Sequence, residues 1–231
     1  MASRTPAGAA RTPLSRERVL SAAIALADEG GIEALSMRRL AKELGVEAMS
    51  LYNHVANKNE ILEGILDVVT REIDLPPDDV DWRTAIRQST ISAREVYVRH
   101  SWASSLSMSR QSGGPERLRH SDWLLRTLRE AGFSKDVIFH AFHILEAYIL
   151  GFTAMQLSFP YKGEELAGMA ETFVQQLPAD EYPDLVEHIR EHIEPHPGHQ
   201  GGFEFGLDLI LDSLERLRDD SDLASRQAHG A

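Results

Sequence analysis

Residues 36–58 read SMRRLAKELGVEAMSLYNHVANK, and this stretch decides the fold of the N-terminal part of the chain. Ser36 can cap a short helix that has leucines along one side. Gly45 suits the tight turn that ends this helix, and a second short helix is predicted over residues 47–55. Two short helices joined by a glycine turn form a helix-turn-helix, although the same pattern also occurs in ordinary helical bundles.

Further helices are predicted on both sides of this pair. Ser15 can cap a preceding helix that the two glycines at 30–31 end. Asn57, with Glu60 three residues later, resembles a capping box and begins a fourth helix that runs to about residue 73. The pair is therefore expected to lie within a small bundle of helices.

Every long segment beyond residue 75 also has helical periodicity, and the chain shows no series of strands and no repeat. The predicted helices span residues 82–100, 115–131, 134–157, 164–177, 180–193 and 203–218. The predicted fold is all-α, with an N-terminal three-helix helix-turn-helix domain and a C-terminal helical domain. The expected divisions are a flexible arm at 1–13, the N-terminal domain at 14–74, the C-terminal domain at 75–219 and a flexible tail at 220–231.

The composition suits a soluble protein with a packed core. The absence of cysteine excludes disulfides and thiolate zinc sites and favours a reducing cytoplasm. We expect no signal peptide, because the N-terminal residues lack an apolar run. We expect no membrane span, because two histidines and Glu146 interrupt the most apolar stretch. The net charge of -12 opposes nucleic acid binding. Residues 1–58, however, carry eight basic and six acidic side chains, so the remainder of the chain has a net charge of -14. The N-terminal end is thus the one suited to face DNA.

The second helix of the pair would present small and polar side chains to the base edges of a major groove. These candidates are Glu47, Ala48, Ser50, Asn53 and His54. A second set is placed to reach phosphates and comprises Ser36, Arg38, Tyr52, His54 and Lys58. The expected partner is double-stranded operator DNA.

The same stretch resembles the DNA-binding domain of the tetracycline-repressor (TetR-type) family of transcriptional regulators, on the pattern LAKELGV, LYNHV and NK. The preceding RVLSAAIALADEGGIEALS is similar to the first helix of that family. Downstream, DWRTAIRQ, REAGFS, YILGF and FEFGLDLILDSLERL are similar to the C-terminal domain of the tetracycline repressor. The resemblance implies a homodimeric regulator, a repressor that a small-molecule effector releases from its operator. It also implies that Arg38, Ser50, Tyr52, Asn53, His54 and Lys58 occupy operator-contacting positions.

One part of the resemblance is not carried over. The tetracycline repressor holds a magnesium–drug complex with histidines and a glutamate, and the corresponding positions fall near Asp74, Met108 and Met155. None of these is the expected ligand type. We therefore predict no tetracycline, no metal and no cofactor for this chain.

The helices at 134–157 and 203–218 carry more apolar surface than packing against their own subunit requires. We predict that they form an intersubunit four-helix bundle, in which a charge at Ile149 or Leu207 would break the dimer or the fold. A deeply buried helix in a monomer is the alternative.

A ligand pocket is predicted among the helices of residues 82–175. Its candidate lining residues are Trp102, Met108, Trp123, Phe139, His143, Phe152, Met155 and Gln156. For each of them, ordinary core packing is the competing explanation.

Two other functions remain open from the residues. His188, Glu191 and His192 fit the H-x-x-E-H pattern of a zinc hydrolase, because histidines four apart on a helix can share one metal ion. A short pattern of this kind arises by chance in an acidic amphipathic helix, so no catalytic residue is assigned. A helical DNA-binding adaptor without a ligand is the second alternative.

The fourth helix, at 57–73, is expected to couple the two domains. It begins beside the second helix of the pair, which is the recognition helix that would enter the DNA groove, and it ends against the C-terminal domain. An effector that shifted it would therefore change the spacing of the two recognition helices in a dimer. Gly64 offers a small contact point within it.

Overall fold

The structure, a computed structural model, describes residues 13–110, 113–158, 164–193 and 202–229, and within these ranges it contains helices and no strands. The helices are α1 Arg16–Gly30, α2 Met37–Leu44, α3 Ala48–Leu51, α4 Lys58–Thr70, α5 Trp82–Arg99, α6 Ala103–Met108, α7 Pro115–Glu130, α8 Lys135–Ser158, α9 Glu164–Gln176, α10 Pro183–Ile193 and α11 Gly202–His229. The all-α prediction is confirmed. The predicted N-terminal arm lies almost wholly outside the described residues.

The helix starts in the N-terminal domain follow the predicted caps. The Ser15 and Ser36 hydroxyls accept hydrogen bonds from the backbone N–H groups of Arg18 and Arg39. Asn57 Oδ1 accepts from the Glu60 N–H at 2.9 Å, and the Glu60 carboxylate in turn accepts from the Ala56 N–H at 2.6 Å. Each bond satisfies an N–H that has no partner inside its helix, so local sequence sets where these helices begin.

The turn between α2 and α3 requires a glycine. Gly45 has a φ of +66° and closes α2 with a left-handed residue, a conformation that side chains with a Cβ disfavour. The turn sets α2 and α3 against each other and buries Leu40, Ala41 and Leu51. The helix-turn-helix geometry is therefore built from the residues that predicted it.

The recognition helix is shorter than predicted. Regular α-helix covers only Ala48–Leu51, and residues 52–54 continue as a turn in which each N–H bonds to the carbonyl three residues earlier. The tighter spacing turns the chain so that Val55 enters the core before Asn57 caps the next helix. Asn53 and His54 are also weak helix formers, which favours this early end.

The C-terminal domain packs α5, α7 and α8 around one core that continues into α4. Helix α6 was not predicted. It packs against α8, and Ala103, Ser104 and Leu106 are its buried residues. Helices α7 and α8 begin and end close to the predicted positions, and Gly132, with a φ of +88°, makes the turn between them.

Helices α8 and α11 pack side by side. The ring of Tyr148 stacks on that of Phe203 at 5.0 Å between centroids, and its hydroxyl donates to the Phe203 carbonyl at 2.8 Å. Helix α11 continues to His229, well past the predicted end at residue 218 and into the stretch that was expected to be a flexible tail.

The outward sides of α8 and α11 carry large apolar residues. On α8 these are Phe139, Ile144 and Met155, and on α11 they are Phe205, Leu209 and Leu217. We call this surface the α8–α11 face. Ile149 and Leu207 point the other way and are buried within the subunit, so of the two expected effects of a charge there, the structure favours loss of the fold over loss of the dimer.

Helix α8 is long and apolar enough to cross a membrane, which differs from the expectation that polar residues would rule this out. The prediction required an uninterrupted apolar run, whereas Lys135–Ser158 qualifies on average hydropathy. A single helix of this kind is a weak indication, because the core helix of a soluble protein has the same length and composition.

Candidate DNA interface and effector cavity

The predicted base-reading residues lie on and around α3, in a region that we call the α3 surface, although Ala48 among them also packs against the core. Glu47 and Asn53 are exposed, while Ala48, Ser50 and His54 are half-buried. Tyr52 and Asn53 follow α3 in the turn, so they extend the surface beyond the end of the helix. Whether each contacts a base remains a prediction.

One residue on this surface was missed. Met49 lies in the middle of α3 and is 74% exposed, the largest exposure of any large hydrophobic residue described. A flexible apolar side chain there is suited to the methyl group of thymine. Its exposure follows from helical spacing, since Ala48 and Leu51 on either side turn inward, and could have been predicted from the period.

Cationic groups flank the same surface. Arg38 and Lys58 are exposed, and among the described residues neither has an ion-pair partner, whereas Arg39 pairs with Glu29 at 3.3 Å. Lys58 is the first residue of α4, where the helix dipole also favours a phosphate. The Ser36 hydroxyl caps α2, so it would contact DNA only while holding that cap. This arrangement can bind a phosphate backbone on either side of α3.

A cavity of about 260 Å³ lies among α4, α5, α6, α7 and α8. Its apolar walls are Ile73, Tyr97, Leu118 and Phe142. Its polar groups are Thr70, Ser107, Arg117, His120, Ser121 and Glu146. The lining is mixed, since the polar residues outnumber the apolar ones, and several polar groups that converge on one cavity make it a candidate small-molecule site.

Comparison with known proteins decides what these features belong to. Residues 19–65 match the family described as bacterial regulatory proteins, tetR family, and residues 75–218 match the tetracyclin repressor-like C-terminal domain. The chain belongs to the tetR family. It is therefore a DNA-binding transcriptional regulator of that family, in which dimerisation is typical.

Three similar proteins cover most of this tetR-family chain. The HTH-type transcriptional repressor DrrR1 of Streptomyces coeruleorubidus is 33% identical over 93% of this chain and 82% of its own length. ActR of Streptomyces coelicolor in complex with actinorhodin has a TM-score of 0.74, with 27% identity over 89% of this chain and 98% of that one. BioQ with its natural double-stranded DNA operator has a TM-score of 0.61, with 28% identity over 87% and 98% of the two chains.

The predicted pocket residues of this tetR-family chain are scattered, and none lines the cavity among α4–α8. Trp102 is buried where its indole N–H donates to Asp28 of α1 at 2.7 Å. Trp123 lines a separate groove of about 220 Å³ near Pro76, whose carbonyl accepts from its indole N–H.

The other predicted pocket residues lie on or near the outer side of the C-terminal domain. Met108, Phe139, His143 and Met155 are exposed. Phe152 packs edge-on against Phe203, and Gln156 accepts a hydrogen bond from Arg94 at 2.9 Å. Helical period alone could not separate the inner side of these helices from the outer, and the set remains a prediction without a common site.

Burial shifts the pKa of three groups in the cavity. It lowers the pKa of His120 to about 4, with help from Arg119, and raises the pKa of Tyr97 to about 12. Burial also raises the pKa of Glu146, although Arg117 and His143 oppose the shift. At neutral pH the imidazole is therefore uncharged, and the carboxylate is held in poorly solvating surroundings.

The low pKa of His120 predicts a loss of stability in acid. Between pH 6.5 and 4 the unfolded chain binds a proton at this residue and the folded chain does not, so the free energy of unfolding falls as pH falls, by roughly 3 kcal/mol over that window. Urea unfolding of wild type and His120→Gln at pH 7 and pH 4.5 measures the difference. His188→Gln, on exposed α10, is the control. Parallel stability profiles for wild type and His120→Gln would show that this residue does not titrate as stated.

The H-x-x-E-H residues lie on α10. His188 and Glu191 are exposed, and nothing is described for the His192 side chain. Among the described residues no group of three metal-ligating side chains comes together. The membership of this chain in a family of regulators favours the regulator interpretation over the hydrolase.

Proposed function

We propose that this chain is a cytoplasmic, homodimeric repressor that binds a two-fold related operator and leaves it when a small molecule enters the cavity among α4–α8. The DNA-binding domain, which we call the reader, would comprise residues 14–74. The domain that binds the effector and forms the dimer would comprise residues 75–219. No catalytic or metal-binding role is assigned.

One observation carries the proposal. Thr70 and Ile73, at the end of α4, line the cavity, while Asn57 caps the start of the same helix directly after the DNA-facing turn. A rigid helix that touches both sites can convert occupancy of the cavity into a displacement of the reader. A helical adaptor without a ligand would have no need for this connection.

The α8–α11 face supports the dimer. Several large apolar side chains exposed on two adjacent helices mark a protein interaction surface, and two such helices from each subunit would form a four-helix bundle. The same pairing accounts for the apolar composition of α8 without a membrane. ActR with actinorhodin and BioQ with its operator are similar to this chain in structure, and these two complexes fit the two halves of the proposal, effector binding and operator binding.

The test is a selection of bound sequences from a random double-stranded DNA library, followed by a screen for compounds that release the selected DNA. We expect a two-fold symmetric site with half-site centres about one helical turn apart, or a multiple of it. No mobility shift with any library DNA at low salt would overturn the proposal.

Reader variants should separate affinity from specificity. Lys58→Ala should weaken binding to all sequences and reduce the slope of log affinity against log salt by about one, because one phosphate contact is lost. Asn53→Ala should instead change the preferred bases. Binding measured at three salt concentrations, on the selected operator and on random DNA, distinguishes the two results. An unchanged salt slope in Lys58→Ala would contradict the phosphate contact, and Glu33→Gln, exposed but remote from α3, is the control.

A further inference from the structure

We propose that the effector of this cavity is a compact amphipathic molecule that bears a protonated amine, with Glu146 as its counter-ion. The inference rests on the proposed function, because it concerns the same cavity among α4–α8. It follows from which charges around the cavity are already compensated and which are not.

Glu146 faces the cavity and, among the described residues, has no charged partner in hydrogen-bonding contact, although Arg117 acts on it at longer range. Its side chain lines the cavity and remains 36% accessible. The ion-pair contact it makes is with His120, whose Nδ1 lies 4.0 Å from Oε1, too far for a hydrogen bond. Because burial lowers the pKa of His120 to about 4, the imidazole is neutral at pH 7 and leaves the carboxylate charge unbalanced.

The cation of the cavity is already engaged. Arg117 Nη1 lies 3.7 Å from the Glu63 carboxylate on α4, and Nη2 donates to the Arg110 carbonyl at 3.3 Å. An anionic ligand would therefore compete with Glu63 for Arg117 and would also be repelled by Glu146. Of the two charged groups that line the cavity at pH 7, Arg117 has hydrogen-bond and ion-pair partners outside it, whereas Glu146 has no hydrogen-bonded partner among the described residues, which favours a cation beside Glu146.

The remaining surroundings of Glu146 add no second carboxylate. Arg117 and His120 face it from α7, His143 lies one turn away on α8, and the phenol of Tyr97 faces it from α5. The residues that α4 and α6 contribute to the cavity do not titrate: Thr70, Ile73 and Ser107. A single carboxylate opposite apolar walls selects one positive charge on an otherwise apolar molecule.

The volume of the cavity and the chemistry of its walls restrict the size and polarity of the rest of the ligand. A cavity of about 260 Å³ is slightly smaller than pockets that hold drug-sized compounds, so a molecule of about two rings fits it. Leu118 and Phe142 would contact the hydrocarbon part. The cavity walls shield part of the Glu146 carboxylate from water, which makes an ion pair with the amine stronger than it would be on a fully exposed surface.

The experiment uses three probes of one shape, 2-(1-naphthyl)ethylamine, 2-(1-naphthyl)ethanol and 1-naphthylacetate, in calorimetric titrations of the full-length protein at pH 7.5. We expect the amine to bind about tenfold to a hundredfold more tightly than the alcohol, the range of a hydrogen bond to a charged group, and the acetate to bind most weakly. In Glu146→Gln the amine should lose this advantage while the alcohol binds as before. Glu95→Gln, on the exposed side of α5, should retain it.

A second measurement needs no folded variant. The amine stays protonated below pH 7.5, so its advantage over the alcohol in wild type should decrease as pH falls and Glu146, whose pKa burial raises, takes up a proton. Protonation of His120 acts in the same direction, and Glu146→Gln isolates its share.

The proposal is overturned if the acetate binds most tightly, if Glu146→Gln keeps the preference for the amine, or if none of the three probes binds at millimolar concentration. These results leave the proposed function standing when the protein still selects an operator from the DNA library. Failure to bind any DNA removes the proposed function, whatever the probes do.

Discussion

Leu207→Asp is expected to unfold the subunit, whereas Leu209→Asp, two residues further along α11, is expected to give a folded monomer. Leu207 is 0% exposed in the core, and Leu209 is 52% exposed on the α8–α11 face. An aspartate at 207 would lose the burial of a leucine and leave a carboxylate without a partner, which together cost more than about 4 kcal/mol. That is a large part of the 5–15 kcal/mol that stabilises a typical domain.

The aspartate at 209 acts on the pairing of subunits. It places a charge and its twin in an interface of apolar side chains, while the subunit core is untouched. A monomer holds one reader, so operator affinity should fall by roughly a hundredfold or more through loss of the second half-site. Half-site affinity should be unchanged.

Circular dichroism and sedimentation velocity at micromolar concentration measure the fold and the assembly of each variant. Gln88→Asp, on the exposed side of α5, is the control for an added surface charge. A Leu209→Asp protein that remains a dimer would place the subunit interface elsewhere than on the α8–α11 face.

Asp67→Ala is expected to uncouple effector binding from DNA binding. Asp67 lies on α4, and its Oδ1 accepts hydrogen bonds from the N–H groups of Glu116 at 2.8 Å and Arg117 at 3.3 Å. These are the first turn of α7, which has no side-chain cap of its own. Because Arg117 and Leu118 line the cavity, a shift of α7 reaches α4 through this carboxylate.

The expected size follows from thermodynamic linkage. Couplings between two sites are typically about 1–3 kcal/mol, so an effector should weaken operator binding about 5- to 150-fold in wild type. In Asp67→Ala the ratio should fall to a few-fold, although ion pairs from Glu63 to Arg110 and from Arg71 to Glu116 still join α4 to this region. The measurement is operator affinity with and without an effector found by the release screen, and effector affinity with and without operator.

Asp122→Ala, exposed on α7, is the matched control. If the operator and effector affinities of Asp67→Ala both change while the coupling between them stays at the wild-type value, the contact between α4 and α7 is structural only.

Gly64, the small contact point that the sequence offers within α4, is a poor site for such a test. A Cβ at Gly64 would lie 2.7 Å from Leu20 of α1, so a valine there would disturb the reader itself.

The sequence by itself determined most of the helices, α6 excepted, and the starts of those that carry a local cap. Ser15, Ser36 and Asn57 cap helices as predicted, and Gly45 makes the turn of the helix-turn-helix, because capping and left-handed turns depend on side chains within a few residues. The same local pattern predicted the DNA-facing surface and identified the family. Met49 was not among the predicted residues because it is apolar, although its exposure follows from the helical period.

Only the tertiary structure decided what each helix faces. Periodicity shows that α8 and α11 have apolar residues on both sides, but it does not say that Leu207 packs within the subunit while Leu209 faces outward. The cavity has the same origin, since its eleven lining residues come from α4, α5, α6, α7, α8 and the approach to α7, and Glu146 differs from other glutamates only through its buried surroundings. Burial and long-range pairing arise when distant segments pack, so no local pattern of residues contains them.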